Sequence, residues 1–321
     1  MATMKDVAME ANVSLGSVSN VINGKEVKPD TYNKVMEAIK KLNYEKNDLA
    51  TGLKNNKTNT VGLIIPTVWH PFFSELAFHV EQILQEDGYK MLLCNTHSNP
   101  DNEIRYIQML RKNMIDGIIA ISYSDIELLL NSNLPFVSID RIFDKDVNFV
   151  ASDNYQGGRL AAKTLVEKGC KNLLYVGSHN VFKNATMDRK VGFEAYCNEN
   201  NIAHEIIDLL EPYSGLKEEL IATFNKNEGI DGIFAINDFL AIDIIKMLNV
   251  NQIKLIEDYQ IIGFDGIKLS KERSYMISTI VQDVERIAKE SVSILFKNIE
   301  NESFYGNAYV PVRFEEGGST K

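Results

Sequence analysis

At 321 residues the chain exceeds one typical domain and points to two or three. Hydrophobic residues make up 45% and charged residues 24%, which excludes a wholly disordered chain, and no apolar run approaches membrane-spanning length. The formal net charge of −10 argues against a nucleic-acid partner only until it is divided along the chain. Residues 1–60 hold nine lysines and seven acidic residues, a surplus of +2, so the remainder carries −12. Structured sequence starts at once, with no room for a secretion signal, and a cytoplasmic location is expected. Cys94, Cys170 and Cys197 lie far apart without metal-ligand spacing and read as reduced thiols.

In the stretch Thr3 to Gly24, Val7, Ala8 and Ala11 recur at helical spacing, and Thr3 with Asp6 makes a capping pair. Asn12 breaks the pattern where tolerance of positive φ is useful, and Ser14 can cap a second helix. That helix has an apolar stripe of Val18, Val21 and Ile22, with Leu15, Gly16, Ser19 and Asn20 facing away from it. Two short helices on a tight turn make a helix-turn-helix; a generic helical hairpin is the plainer alternative. As a DNA reader, the second helix has side chains short enough to sit deep in a major groove, and Asn20 offers adenine one acceptor and two donors. Asp30 is placed to cap a third helix, with Val35, Met36, Ile39 and Leu42 on its inner side and Asn43 at its end. The run from Asn47 to Thr60 reads as a linker, because Thr51 and Gly52 disfavour an isolated helix there.

From Val61 onward short β-rich runs alternate with helical segments, which predicts parallel α/β architecture. Asp116-Gly117-Ile118-Ile119-Ala120-Ile121-Ser122 is matched later by Asp231-Gly232-Ile233-Phe234-Ala235-Ile236-Asn237. Each copy precedes a strand ending in aspartate, Pro135 to Asp140 and Tyr259 to Asp265, so two similar doubly wound lobes are expected. Ligands of such sheets gather at the carboxyl edge. The candidates there are Phe72 and Phe73, just after Trp69 and His70, then Asp140, Arg141, Arg189, Asn237, Asp265 and Gln282. Vicinal hydroxyls both donate and accept, so carboxylates and guanidiniums suit a sugar, while aromatic faces suit its C–H side. Singly, each has a plainer account: Asp140 and Arg141 as a strand-end ion pair, Asn237 and Asp238 as a helix cap, Phe72 and Phe73 as a core anchor.

The order D-V-A-x-x-A-x-V-S-x-x-[ST]-V-S-x-V-I-N from Asp6 to Asn23 resembles the DNA-binding headpiece of the LacI family of bacterial repressors. The likeness covers nearly the whole chain, including S-D-N-Y-Q-G-G-R-L-A from Ser152 to Ala161 and the final G-G-S-T. It implies a helix-turn-helix headpiece over residues 1–46, a hinge helix and linker over 47–60, and a two-lobed effector-binding and dimerisation domain over 61–321. The lobes would share the fold of periplasmic sugar-binding proteins, with the helix after Gln282 returning to the first lobe. On this resemblance Thr3, Ser14, Leu15, Gly16, Ser17, Ser19, Asn20 and Asn23 contact DNA. Asn47, Ala50 and Leu53 would belong to a hinge that orders when two copies meet on DNA, with Leu53 as a minor-groove wedge. Asn12 stands where the family usually has glycine and Asn20 where it often has arginine, so the operator preference should differ.

The eight cleft candidates match the polar positions and stacking pair of sugar-binding relatives of this fold. The expected protein is therefore a homodimeric transcriptional regulator, a repressor, whose hold on a palindromic operator is set by a small sugar. A purine corepressor is the alternative. No cofactor, metal or catalytic residue is expected: phosphate-binding and nucleophile-elbow motifs are missing and the five histidines are scattered. Asp140 and Asp265 could imitate a glycosidase couple, but Arg141 and Arg189 are expected to hold them ionised. A transport component would have no use for the headpiece.

Overall fold

The structure, a computed structural model, describes residues 2–44, 57–130, 134–143, 146–182, 184–212, 214–227, 229–268, 270 and 272–321. Asn47, Ala50 and Leu53, the expected hinge residues, lie outside the described residues. Two compact units are present, residues 1–58 and 59–321.

In the first unit, α1 (Met4–Ala11) begins at a capping box: Thr3 Oγ1 accepts from the Asp6 N–H at 3.3 Å and the Asp6 carboxylate accepts from the Thr3 N–H at 2.8 Å. Asn12 turns the chain with a φ of 50°, and Ser14 then caps α2 (Leu15–Ile22) by accepting from the Ser17 N–H at 3.1 Å. The start of α3 (Pro29–Lys41) differs from expectation. Lys28 holds the cap position without a side-chain bond, Pro29 opens the helix, and Asp30 pairs with Lys34 at 2.7 Å. Proline's fixed φ preorganises that first turn, so no acidic cap is required. Val7, Ala8, Ala11, Val18, Val21, Val35 and Ala38 form the core; Met36, expected inside, is 43% exposed, and Ala38 sits in the core in its place.

The second unit holds two lobes. In the first, β1 (Thr60–Ile65), α4 (Pro71–Glu86), β2 (Lys90–Asn95), α5 (Pro100–Lys112), β3 (Gly117–Ile121), β4 (Phe136–Ile139) and β5 (Asn148–Ser152) follow in sequence. The chain then enters the second lobe through α6 (Asn154–Glu167), β6 (Asn172–His179), α7 (Asp188–Glu199), β7 (Ala203–Leu210), α8 (Leu216–Lys226), β8 (Gly232–Ala235), α9 (Asp238–Val250), β9 (Gln260–Asp265) and β10 (Thr279–Val281). It returns for α10 (Val284–Glu300) and β11 (Asn307–Val310), and crosses a last time to β12 (Arg313–Glu315). The sheets run β11-β5-β4-β3-β1-β2 and β12-β10-β9-β8-β6-β7, parallel throughout except for β12. Both are doubly wound α/β sheets, as the alternating pattern predicts. Three crossings therefore join the lobes, at Asp153, at Gln282 and Asp283, and between Val310 and Arg313.

The repeated Asp-Gly pair has a physical reason. Asp116 accepts from the Asn59 N–H at 2.8 Å, and Asp231 accepts from the N–H groups of Lys171 and Asn172 at 2.8 and 2.9 Å. Each carboxylate thus secures the chain just ahead of, or at the first residue of, the neighbouring strand, β1 in one lobe and β6 in the other. Gly158 in α6 and Gly192 in α7 explain part of the S-D-N-Y-Q-G-G-R-L-A stretch. A Cβ at Gly158 would lie 1.9 Å from the Arg189 carbonyl, and one at Gly192 would lie 1.9 Å from the Tyr155 carbonyl. The two helices meet backbone to backbone, which fixes the start of α7 and with it Arg189.

Candidate functional site

Two surfaces carry the sequence-derived candidates. On the first unit, the outer side of α2 presents Leu15, 45% exposed, together with Gly16 and Asn20, while Ser17 and Ser19 are half-buried. Thr3, Ser14 and Asn23 are exposed at helix ends; Thr3 and Ser14 are engaged as caps and Asn23 Nδ2 donates to Ser19 Oγ at 3.3 Å. Short polar groups on a helix whose opposite side is packed suit insertion into a groove.

On the second unit, a cavity of about 210 Å³ lies between the lobes at the carboxyl ends of both sheets. It brings together Phe72, Phe73, Asp140, Arg189, Asn237, Asp265 and Gln282, seven of the eight expected residues. Arg141 is not brought in. Its guanidinium donates to Ser122 Oγ at 3.0 Å and to the Ser124 carbonyl, and it lies over the rings of Phe143 and Phe182 at 4.3 and 5.0 Å. The left-handed turn at Asp140, with φ 58°, sends the two neighbours in different directions. Trp69 is 89% exposed and does not line the cavity.

Arg189 is the centre of the floor. Its Nε donates to Asn154 Oδ1 at 2.7 Å, its Nη1 donates to the Ile236 carbonyl at 2.6 Å and stands 3.6 Å from Asp265 Oδ1, and Phe264 lies beneath it at 3.6 Å. Gln282 Nε2 donates to Asp265 Oδ1 at 2.8 Å, and Ser152 Oγ donates to Gln282 Oε1 at 2.6 Å. Asn154 closes the circuit by donating to the Ser152 carbonyl at 3.0 Å. The ring Ser152, Gln282, Asp265, Arg189, Asn154 spans two of the three crossings. Asn237 caps α9 through Oδ1, which accepts from the Leu240 N–H at 2.8 Å, so its NH₂ group is what it can offer a ligand.

Burial pushes both cleft aspartates up to about 6, Asp140 and Asp265 alike, with Arg189 opposing the shift and failing to cancel it. This corrects the expectation that arginines hold them firmly ionised: one guanidinium serves two desolvated carboxylates, and Arg141 is turned away. Asp140 Oδ1 is buried without a hydrogen-bond partner. His70 stands 3.7 Å from Asp265 Oδ2, between the rings of Phe73 and Phe239, and burial with the nearby Arg189 charge lowers it to about 4. It is neutral at neutral pH. Beside this cavity runs a groove of about 570 Å³ that shares Phe72, Asp265 and Gln282, but among the described residues none with a buried unpartnered polar atom lines it. The smaller cavity is the better candidate despite its size.

Sequence reasoning missed Tyr123, Ser178, Asn180, Asn184, Thr186 and Glu211 on the cavity wall. Ser178 could have been found, since β6 precedes the helix that carries Arg189. Glu211 lies beyond an ordinary edge strand and carries no signal; its Oε1 accepts from Ser178 Oγ–H at 2.6 Å.

A helix-turn-helix unit followed by a two-lobed α/β module with a polar cavity between its lobes defines a ligand-regulated DNA-binding protein. Residues 3–47 match the family of bacterial regulatory proteins named for lacI, and residues 58–299 match periplasmic binding proteins and the sugar-binding domain of the same family. The chain belongs to the LacI family. It is 34% identical to the sucrose operon repressor of Streptococcus mutans, over 99% of either chain. Identity to the ribose operon repressor of Halalkalibacterium halodurans is 32%, over 100% of this chain and 98% of the relative. Among solved structures, the lac repressor dimer bound to operator and the anti-inducer ONPF superposes with a TM-score of 0.84 at 21% identity, covering 99% of each chain, a likeness of fold.

Proposed function

We propose that the protein is a cytoplasmic transcriptional repressor, acting as a homodimer on a palindromic operator and controlled by a sugar held between its lobes. The observation that carries the effector half is the convergence of Asp140, Arg189, Asp265 and Gln282 with Phe72 and Phe73 on one inter-lobe cavity. Sucrose and ribose repressors among its relatives fit a sugar, and purine repressors of 32–33% identity keep a purine as the alternative, so the choice of a sugar rests on the cavity. We read the site as one that binds rather than turns its ligand over: Asp265 Oδ1 accepts from Gln282 and faces Arg189, which fixes the carboxylate in place as a ligand contact.

The division into a headpiece over 1–46, a connecting hinge over 47–60 and an effector domain over 61–321 supplies the mechanism. Effector binding shifts the two lobes about their crossings, the first lobes of a dimer move relative to each other, and the spacing of the hinges changes. Leu53 acts as the wedge in the minor groove, so Leu53→Ala weakens operator binding and DNA bending while effector binding persists. The deciding experiment measures operator binding with and without sugars. Asn20→Ala should lower discrimination between operator variants by roughly 1–3 kcal/mol and overall affinity by less. Equal losses on operator and random DNA would remove α2 as the reading helix.

A further inference from the structure

We infer that the effector is a neutral single-ring sugar without a phosphate ester, bound through hydroxyl groups that donate to Asp140. This deepens the reading of the protein as a sugar-responsive repressor and rests on it. The cavity is rich in acceptors and poor in spare positive charge. Asp140 lines the cavity, and its Oδ1 is buried without a partner. Asp265 is a second carboxylate on the floor and Glu211 a third at the exposed mouth, where one of its oxygens accepts from Ser178.

Against these, Arg189 is the one permanent cation among the described lining residues, and its Nε and Nη1 are already given to Asn154 Oδ1 and the Ile236 carbonyl. Burial keeps His70 uncharged at neutral pH, so it adds no positive charge, and its unpartnered Nδ1 is a further neutral polar group for a hydroxyl. A phosphate ester would bring about −1.5 to −2 of charge beside three carboxylates, with one already bonded guanidinium to offset it. A purine offers fewer hydrogen-bond donors than a polyol to the carboxylates of Asp140, Asp265 and Glu211 that line the cavity. A ring hydroxyl donates and accepts at once, so it can satisfy Asp140 while receiving from the Asn237 amide. The volume of about 210 Å³ falls under the usual ~300–1,000 Å³ of sites for larger ligands, which favours one ring over two.

The test is calorimetry and thermal shift on the full chain, using pentoses and hexoses, the phosphate ester of each, sucrose, hypoxanthine and guanine. A neutral monosaccharide that binds about 100-fold more tightly than its own phosphate ester is the expected result. A phosphate ester that binds as tightly or more tightly overturns the neutral class and leaves the sugar-responsive reading standing, and sucrose binding more tightly than every monosaccharide overturns the single ring in the same way. A response to a nucleobase alone, or to nothing in the panel, overturns both.

Discussion

The two lobes end their equivalent strands on the same residue and put it to different uses. Asp140 follows β4 and Asp265 closes β9, and both take positive φ, 58° and 106°; aspartate adopts the first readily, whereas the second lies outside the left-handed helical region and is held by its surroundings. Burial raises both carboxyls to about 6. Asp265 is then tied to Gln282 and Arg189, whereas Asp140 keeps an oxygen without a partner. The second lobe has spent its aspartate on the crossings. In the first lobe the Ser152 backbone and the Asn154 side chain also engage the Asp140 carboxylate, but Oδ1 is left unpartnered. Asp238 belongs with the former: it is 1% exposed and accepts from the N–H groups of Gly266 and Ile267 and from Thr279 Oγ1, holding the turn that follows Asp265.

The sharpest way to break this contrast is Asp140→Asn, which preserves shape and tolerates the left-handed backbone. Losing a charge-assisted bond costs about 1.5–3 kcal/mol, so effector affinity should fall roughly 10- to 150-fold by calorimetry. Stability should move the other way. Between the ordinary value of 3.8 and about 6 the folded state binds more protons at Asp140 than the unfolded chain does, so its contribution to stability declines as pH rises through that window. The variant's gain in melting temperature without ligand should therefore be absent near pH 4 and complete above about 6. A gain that ignores pH would mean that Asp140 is not desolvated as described. His70 works with the opposite sign, because its lowering from 6.5 to about 4 costs stability as pH falls through that range. His70→Phe, which keeps an aromatic ring between Phe73 and Phe239, should remove that acid-side loss in the same melts.

A second variant weakens the other lobe's arrangement. Gln282→Ala removes the acceptor for Ser152 Oγ–H and the donor to Asp265 at once, at the crossing into α10. Effector affinity should fall by about tenfold, as expected for one or two buried bonds. The more telling readout is the fraction of operator release or attachment at saturating effector, which should shrink, since ligand occupancy would no longer be transmitted to the crossing. A full response at saturation would show that the ring from Ser152 to Asn154 only decorates the floor. Coupling is reciprocal, so operator DNA should also lose its influence on effector affinity in this variant.

Much of this contrast is legible in the sequence, for identifiable reasons. Period-two and buried runs mark the strands, and the rule that parallel sheets bind at their carboxyl edge carries the eye from Ile139 to Asp140 and from Phe264 to Asp265. The helix caps at Thr3 and Ser14 are local chemistry and read directly. What sequence cannot supply is the direction of a side chain after an irregular turn. Arg141 follows Asp140 by one residue, yet the turn at φ 58° parts them, and no pattern announces it. The exposure of Met36 has the same origin, since Ala38 takes the place in the core once α3 is rotated by its contacts with α1 and α2. Glu211 and Asn180 reach the cavity from loops, where periodicity ends and long-range placement begins.

Arg141 offers the finest test, because residue type and position make it look like a ligand contact and the structure assigns it to the first lobe's own architecture. It is 4% exposed, donates to Ser122 and Ser124, and stacks with Phe143 from its own lobe and Phe182 from the other. Arg141→Lys retains the charge but loses the planar group that can bond in its plane and stack on both faces. Stability should drop by about 1–3 kcal/mol, the usual result of leaving buried polar groups unsatisfied. Effector affinity, measured well below the melting temperature, should stay within about threefold, a far smaller change than at Asp140. If affinity instead collapsed with stability intact, Arg141 would belong to the cavity in the bound state, and the first lobe would contribute an ion pair rather than a lone acceptor.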